Sequence, residues 1–423
     1  MKNEKTVLNN GATIIGINMP SAKSVVINFG FRVGSRDEEP TYAGISHFLE
    51  HMVFKGSKRR PTAAAIAKEA DRIGAKYNAF TGKEYTCYYI QTTLDNFDLG
   101  LDIIGDMVTQ PLLKQTELNK EVGTIIEEIK MYEDNPMINI YGRMEETLFG
   151  AAAPMGREIA GSARSVKSVN AAVMKKYCDS FYVGSNAVLV MAGNLPKDYV
   201  KKGSQYLSRL PKGSRNERVS DSKYRHGLKL IPKKTEQAHF GLCLPSFAIS
   251  DSEKFAAEII ATALGGYMSA RLFTEIREKR GWAYRIQAYS DPSQDTGYLG
   301  VIGGIKRDKI TEAIEVTKKE IIKFRDNFKT EEIKRAKSHL VGSSTLTFDD
   351  PEERAKFTVL QELINDRPET PEETIKMIQK ISEKEIKTVA QKMLDLNKIS
   401  LTIIGPYKNK EKFAKILAQG KKE

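Results

Sequence analysis

Val25-Val26-Ile27-Asn28-Phe29-Gly30-Phe31 is β-branched or aromatic at five of seven positions and reads as a strand. It has an echo far downstream. Ala238-His239-Phe240-Gly241-Leu242 resembles it, with Phe29 and Phe240 211 residues apart (240 − 29). A second pair of apolar strands, each closed by glycine, is Asn186-Ala187-Val188-Leu189-Val190-Met191-Ala192-Gly193 and Ile399-Ser400-Leu401-Thr402-Ile403-Ile404-Gly405, whose glycines are 212 apart (405 − 193). Either match alone is weak. Two at nearly one spacing point to a duplicated domain of about half the chain. Residues 1–210 and 226–423 are therefore expected to be two similar domains, joined over 211–225, where Leu210-Pro211-Lys212-Gly213-Ser214-Arg215-Asn216-Glu217-Arg218 is polar and rich in breakers.

Strands and helices mix within each half. Thr86-Cys87-Tyr88-Tyr89-Ile90-Gln91-Thr92 reads as a strand, while Leu118 to Tyr132 and Ile310 to Phe324 have helical periodicity, the latter with Ile310, Ile314, Ile321 and Ile322 near one face. The expected class is α+β: two homologous domains, each a mostly antiparallel sheet with helices on one face. At 423 residues and 40 % apolar composition each half is long enough to bury a core. No stretch approaches the roughly 20 apolar residues of a membrane span, and Met1-Lys2-Asn3-Glu4-Lys5 opens no secretory signal. Cys87, Cys178 and Cys243 are far apart without a CxxC, which fits a reducing, cytoplasmic setting. The net charge of +12 raises nucleic acid or acidic lipid as a partner. However, the chain has no zinc finger, recognition helix or aromatic RNA-binding pattern. Lys55-Gly56-Ser57-Lys58-Arg59-Arg60 and the tail from Lys408 to Lys422 read as solvated faces, and neither nucleic acid nor membrane is expected as a partner.

The chemistry begins at Gly44-Ile45-Ser46-His47-Phe48-Leu49-Glu50-His51-Met52-Val53-Phe54-Lys55-Gly56. On a helix, His47 and His51 are one turn apart, about 6 Å along the axis, so both imidazoles can take corners of a tetrahedral zinc. Glu50 lies beside them, near enough to serve a water without being a ligand. This is the H-x-x-E-H order of the inverzincins. Short motifs also arise on solvated helix faces, but two of only five histidines fall four apart beside a carboxylate. A hydrolytic zinc site needs a third protein ligand. Glu121 and Glu128 share one face of the downstream helix, with Glu127 turned about 100° away; Glu128 as ligand and Glu121 as its support is coherent, although spacing alone does not choose among the three.

These segments resemble the pitrilysin and insulysin family of zinc peptidases, and more closely the mitochondrial processing peptidase subunits and their two-domain bacterial relatives. The resemblance runs along the chain through Leu8 to Ile15, Val33-Gly34-Ser35-Arg36-Asp37-Glu38, Tyr77-Asn78-Ala79-Phe80-Thr81 and Pro154 to Gly161. It implies that His47, His51 and Glu128 bind one Zn2+ per chain, that Glu50 is the general base and that Glu121 supports the ligands. In the second half, Leu264 to Tyr284 resembles the family segment in which an Arg and a Tyr, here Arg277 and Tyr284, contact the substrate carbonyl. Transposed by 211 residues, the metal motif falls on Glu258, Ala261 and Thr262, and Arg277 and Tyr284 fall on Ile66 and Ile73, so neither half carries both sets. By analogy with the four-domain relatives, the implied assembly is a homodimeric clamshell with composite sites. The expected activity is zinc-dependent endopeptidase hydrolysis of a peptide or unfolded segment, bound as an added strand near Asn78-Ala79-Phe80. The alternative is a non-catalytic scaffold or regulatory subunit of the same fold.

Overall fold

The computed structural model describes residues 4–218 and 223–418. In the first half β1 (Glu4–Val7), β2 (Thr13–Asn18), β3 (Val25–Phe31), β4 (Lys76–Thr81), β5 (Thr86–Thr92) and β6 (Ala187–Gly193) form a sheet ordered β1-β2-β6-β3-β5-β4. In the second, β7 (Leu228–Pro232), β8 (Gln237–Pro245), β9 (Ala283–Pro292), β10 (Gly297–Lys306) and β11 (Ser400–Gly405) are ordered β7-β11-β8-β10-β9. Both sheets are mixed, with β2 and β6 parallel in one, β7 and β11 parallel in the other, and the remaining neighbours antiparallel. Leaving β1 aside, the two orders match strand for strand, as the duplication predicts.

The copies differ in one register. Gly30 stands opposite Val188, five residues before Gly193 (193 − 188), whereas Gly241 stands opposite Thr402, three before Gly405 (405 − 402). The slip of two is even, so every side chain keeps its face.

Helices α1 (Ile45–Val53), α2 (Ala63–Arg72), α3 (Phe97–Thr109), α4 (Gln115–Asp134) and α5 (Pro136–Phe149) follow in the first part of the chain. Ile27, Phe29 and Phe31 on one face of β3 share a core with Phe48 and Leu49 of α1 and Leu101 and Ile104 of α3. Phe240, Leu242 and Leu244 of β8 do the same with Ile259, Ile260 and Leu264.

The domain boundaries at 210 and 226 and the single helical face need correction. Met131–Arg157 belongs with the second sheet and Leu346–Pro371 with the first, so the two halves exchange a helix. The two matched glycines explain how. A Cβ on Gly30 would meet Val359 Cγ2 at 2.4 Å and Leu363 Cδ1 at 2.8 Å, and one on Gly241 would meet Met144 Sδ at 2.7 Å. Gly30 and Gly241 lie on the faces opposite Phe29 and Phe240, and their missing side chains let helix Pro351–Ile364 and α5, respectively, lie close against the strands. Val359 and Leu363 are fully buried there, each contributing about 1.5–3 kcal/mol. Both sheets are thus covered on both faces.

The basic run 55–60 is solvated at Lys58 and Arg59 but not at Arg60. Arg60 is buried against Glu69 and Asp102, both at 2.7 Å. In the tail, helix Glu411–Ala418 buries Phe413, Ile416 and Leu417 and leaves Lys412 and Lys415 exposed; Gln419, Gly420, Lys421 and Lys422 lie outside the described residues, as do positions 219–222 of the expected linker. Among the described residues no helix is long and apolar enough to cross a membrane, and the three cysteines are unpaired.

Candidate metal centre

Helix α1 is divided along its length. Ile45, Phe48, Leu49, Met52 and Val53 face the core, which leaves His47, Glu50 and His51 together on the opposite side. Its start is fixed by buried Glu38, whose carboxylate accepts the Gly44 N–H at 2.7 Å and the Ser46 N–H at 2.8 Å. That placement favours the helix dipole. Ser46 is further tied to the Tyr177 hydroxyl at 2.7 Å.

Helix α4 brings its carboxylates to this face. The His47 and His51 Nε2 atoms are 3.3 Å apart, Glu128 Oε2 is 3.3 Å from His51 Nε2, and Glu128 Oε1 is 3.7 Å from His47 Nε2. The three side chains form a group able to hold a metal ion. Bonds of 2.0–2.1 Å at tetrahedral angles put ligand atoms roughly 3.3 Å apart, so this donor set has the dimensions of a zinc site. Glu121 Oε1 lies 2.9 Å from His51 Nδ1, and its other oxygen is 2.6 Å from Lys55 Nζ. This fixes the His51 ring and directs Nε2 toward the other donors. Glu127 goes elsewhere: its side chain is 72 % exposed and paired with Lys130 at 2.7 Å.

The charges agree with the geometry. Burial, and then the charge of His51, holds His47 down at about 4, so it is neutral and its Nε2 can donate an electron pair. Burial works against protonation of His51 too, but its hydrogen bonds to Glu121 and Glu128 prevail and raise it to about 9. A proton on His51 Nε2 occupies the place a cation would take, so cation binding there must release it. Glu50 is pushed upward by burial and by Glu128, against the opposing pull of the Thr81 hydrogen bond and His51. The Thr81 hydroxyl donates to Glu50 Oε2.

Thr81 ends β4, the edge strand of the first sheet. Tyr77 and Ala79 pack with the first core; Phe80 lies beside Tyr85 and Tyr89 under the Lys356 ammonium, at 5.4 Å. The Ala79 N–H is taken up by Asn78 Oδ1 at 2.9 Å.

Arg277 and Tyr284 come together in the second half. Arg277 lies in a π-helical turn, Phe273–Glu278. Its guanidinium stacks between the Phe273 and Tyr284 rings, 4.6 and 5.1 Å from their centroids, and Nη1 donates to the Tyr284 carbonyl at 2.8 Å. Tyr284 is 75 % exposed, on β9, the edge strand of the second sheet. The metal group and this pair belong to different compact units.

Sequence reasoning passed over Thr81, Lys55 and Glu38 as parts of the centre. Thr81 had a signal: it shares strand parity with Tyr77 and Ala79 on the face toward α1. Lys55 had one too, four residues after His51 on the same helical face.

The sequence is 32 % identical over 417 residues to an uncharacterized zinc protease of Streptomyces coelicolor, covering 96 % of this chain and 90 % of that protein. The chain belongs to the pitrilysin (M16) family of zinc metallopeptidases. Within M16, the family model described as Insulinase (Peptidase family M16) matches residues 13–160, and that described as Peptidase M16 inactive domain matches 168–340. A Bacillus subtilis relative, also an uncharacterized zinc protease, is 30 % identical across 95 % of this M16 chain and 97 % of its own. Among solved structures, a peptidase M16 inactive domain from Pseudomonas fluorescens shares the fold at a TM-score of 0.89 and 19 % identity, covering 96 % of this chain and 99 % of that one. A protease from Helicobacter pylori does so at 0.87 and 19 %, covering 96 % and 100 %.

Proposed function

We propose that this M16 chain is a zinc-dependent endopeptidase, with His47, His51 and Glu128 as ligands and Glu50 as general base. The observation that carries the reading is the tetrahedral spacing of the three donors beside a buried carboxylate. A zinc ion held there supplies electrophilic polarisation of a peptide carbonyl and acidifies water. Glu50 takes a proton from the attacking water and returns it to the leaving nitrogen as the C–N bond breaks; Thr81 holds one carboxylate oxygen in place. The peptide lies along the free edge of β4, where its backbone displaces the Asn78 side chain from the Ala79 N–H and its side chains meet Phe80. Arg277 and Tyr284 of a second copy donate to the carbonyl oxygen as it gains negative charge. The protein works as a homodimer in the cytoplasm.

Glu50→Gln tests the base: zinc content should stay at one per chain while hydrolysis of an unstructured peptide falls about 10²–10⁴-fold. Undiminished turnover refutes the role. Mixing Glu50→Gln and Arg277→Ala chains should restore part of the activity; a demonstrably mixed but inert dimer refutes shared sites. The family model on residues 168–340 is described as an inactive domain, which favours a second reading as a non-catalytic subunit. Wild-type protein loaded with zinc but devoid of chelator-sensitive hydrolysis on a diverse peptide library would support it.

A further inference from the structure

Arg32, just beyond β3, is 4 % exposed, yet among the described residues no carboxylate pairs with it. Its Nη1 donates to the Leu363 carbonyl, and its Nε has no partner. Arg32 lines a cavity of about 220 Å³ in the first unit. The two acids of the wall are already committed, Glu362 to Lys5 at 2.6 Å and Asp366 to Arg215 at 3.7 Å. Ser185 Oγ, on the same wall, is also buried without a partner.

The cavity is therefore lined by three cations, Lys5, Arg32 and Arg215, against two carboxylates, and two of its lining residues, Arg32 and Ser185, each keep a buried donor without a partner. A buried guanidinium with no carboxylate in direct contact is costly, and its planar fork suits the oxygens of an anion. Burial first, and then the nearby charges of Arg218 and Arg215, hold Arg32 at about 10 rather than its usual 12.5, against the opposing pull of Asp366 and Glu84.

We propose that this cavity binds a small oxyanion of the phosphate or carboxylate class, held by Arg32 and Ser185. The anion would bridge the first sheet to the exchanged segment Leu346–Pro371, which supplies Leu363 and Asp366. None of these residues belongs to the metal centre, so the site stands apart from the peptidase reading.

The experiment is thermal unfolding of the zinc-loaded full chain in sodium phosphate, sodium acetate and potassium chloride at equal ionic strength. Phosphate or acetate should raise the melting temperature by about 3 °C over chloride at concentrations well above Kd, and the more effective of the two identifies the class. Arg32→Met, which removes the guanidinium and keeps an apolar stem, should abolish that rise. Ser185→Ala should require about tenfold more anion for the same rise, and carries the test if Arg32→Met does not fold. An equal rise in chloride, an undiminished rise in Arg32→Met, or an unchanged anion requirement in Ser185→Ala would overturn the proposal.

Discussion

The two sheets share a strand order, but their leading helices have opposite characters. Helix α1 keeps His47, Glu50 and His51 on one side and core residues on the other. Helix Lys254–Gly265, which follows β8 as α1 follows β3, contains no histidine and buries ten of its twelve residues. The edge strands diverge in the same sense: β4 ends in Thr81, hydrogen-bonded to Glu50, whereas β9 begins beside a stacked Arg277–Tyr284 pair. A helix apolar all round is a core element, while one with a polar face is free to carry chemistry. After duplication one copy can retain the polar face and the other can fill it with packing.

The most severe way to break that contrast is His51→Ala. It removes the ring that touches both Glu121 and Glu128, and should abolish bound zinc in metal analysis along with peptide hydrolysis. Glu121→Gln, which leaves the ligands in place but slackens the His51 ring, should weaken zinc about 10–100-fold in chelator competition. In the second unit, Glu258 is the one carboxylate on helix Lys254–Gly265. Burial, helped by Asp291, pushes it up to about 7. The folded state then holds this proton more tightly than the unfolded state does, so stability falls as pH rises from about 4.5 through about 7. Glu258→Gln should remove that loss, gaining about 1–3 kcal/mol at pH 8 and nothing at pH 4, as read from urea unfolding of the second unit. The smallest effect belongs to Glu127→Gln, which should leave zinc content, activity and melting temperature unchanged, because the Glu127–Lys130 pair is open to solvent.

What was legible in the sequence was whatever local periodicity encodes. Thr86–Thr92 is the strand its aromatic and β-branched residues predict, and the helix expected at Leu118–Tyr132 runs Gln115–Asp134. The four-residue spacing of His47 and His51 put both on one face because a helix turn does so. The choice between Glu127 and Glu128 was not legible: it depends on which side of α4 meets α1, a packing fact. The same holds for Arg60, which reads as one more surface cation until Glu69 and Asp102 close around it. The Phe-Gly pairs at 29–30 and 240–241 revealed the repeat, but not that each glycine receives a helix from the other half of the sequence.

The exchanged helix Pro351–Ile364 also sets a clock. All residues of the candidate metal centre have been synthesised once Glu128 is added, but the outer face of their sheet stays bare until the ribosome has passed residue 364. At about 5–20 residues per second that is an interval of roughly 10–50 s; the first sheet gains its last strand, β6, only at Gly193, and from there to residue 364 it exposes apolar surface while its chemistry waits on the completion of its own sequel. A gene cut at the linker would yield two polypeptides, each lacking one wall, that should become soluble only when produced together.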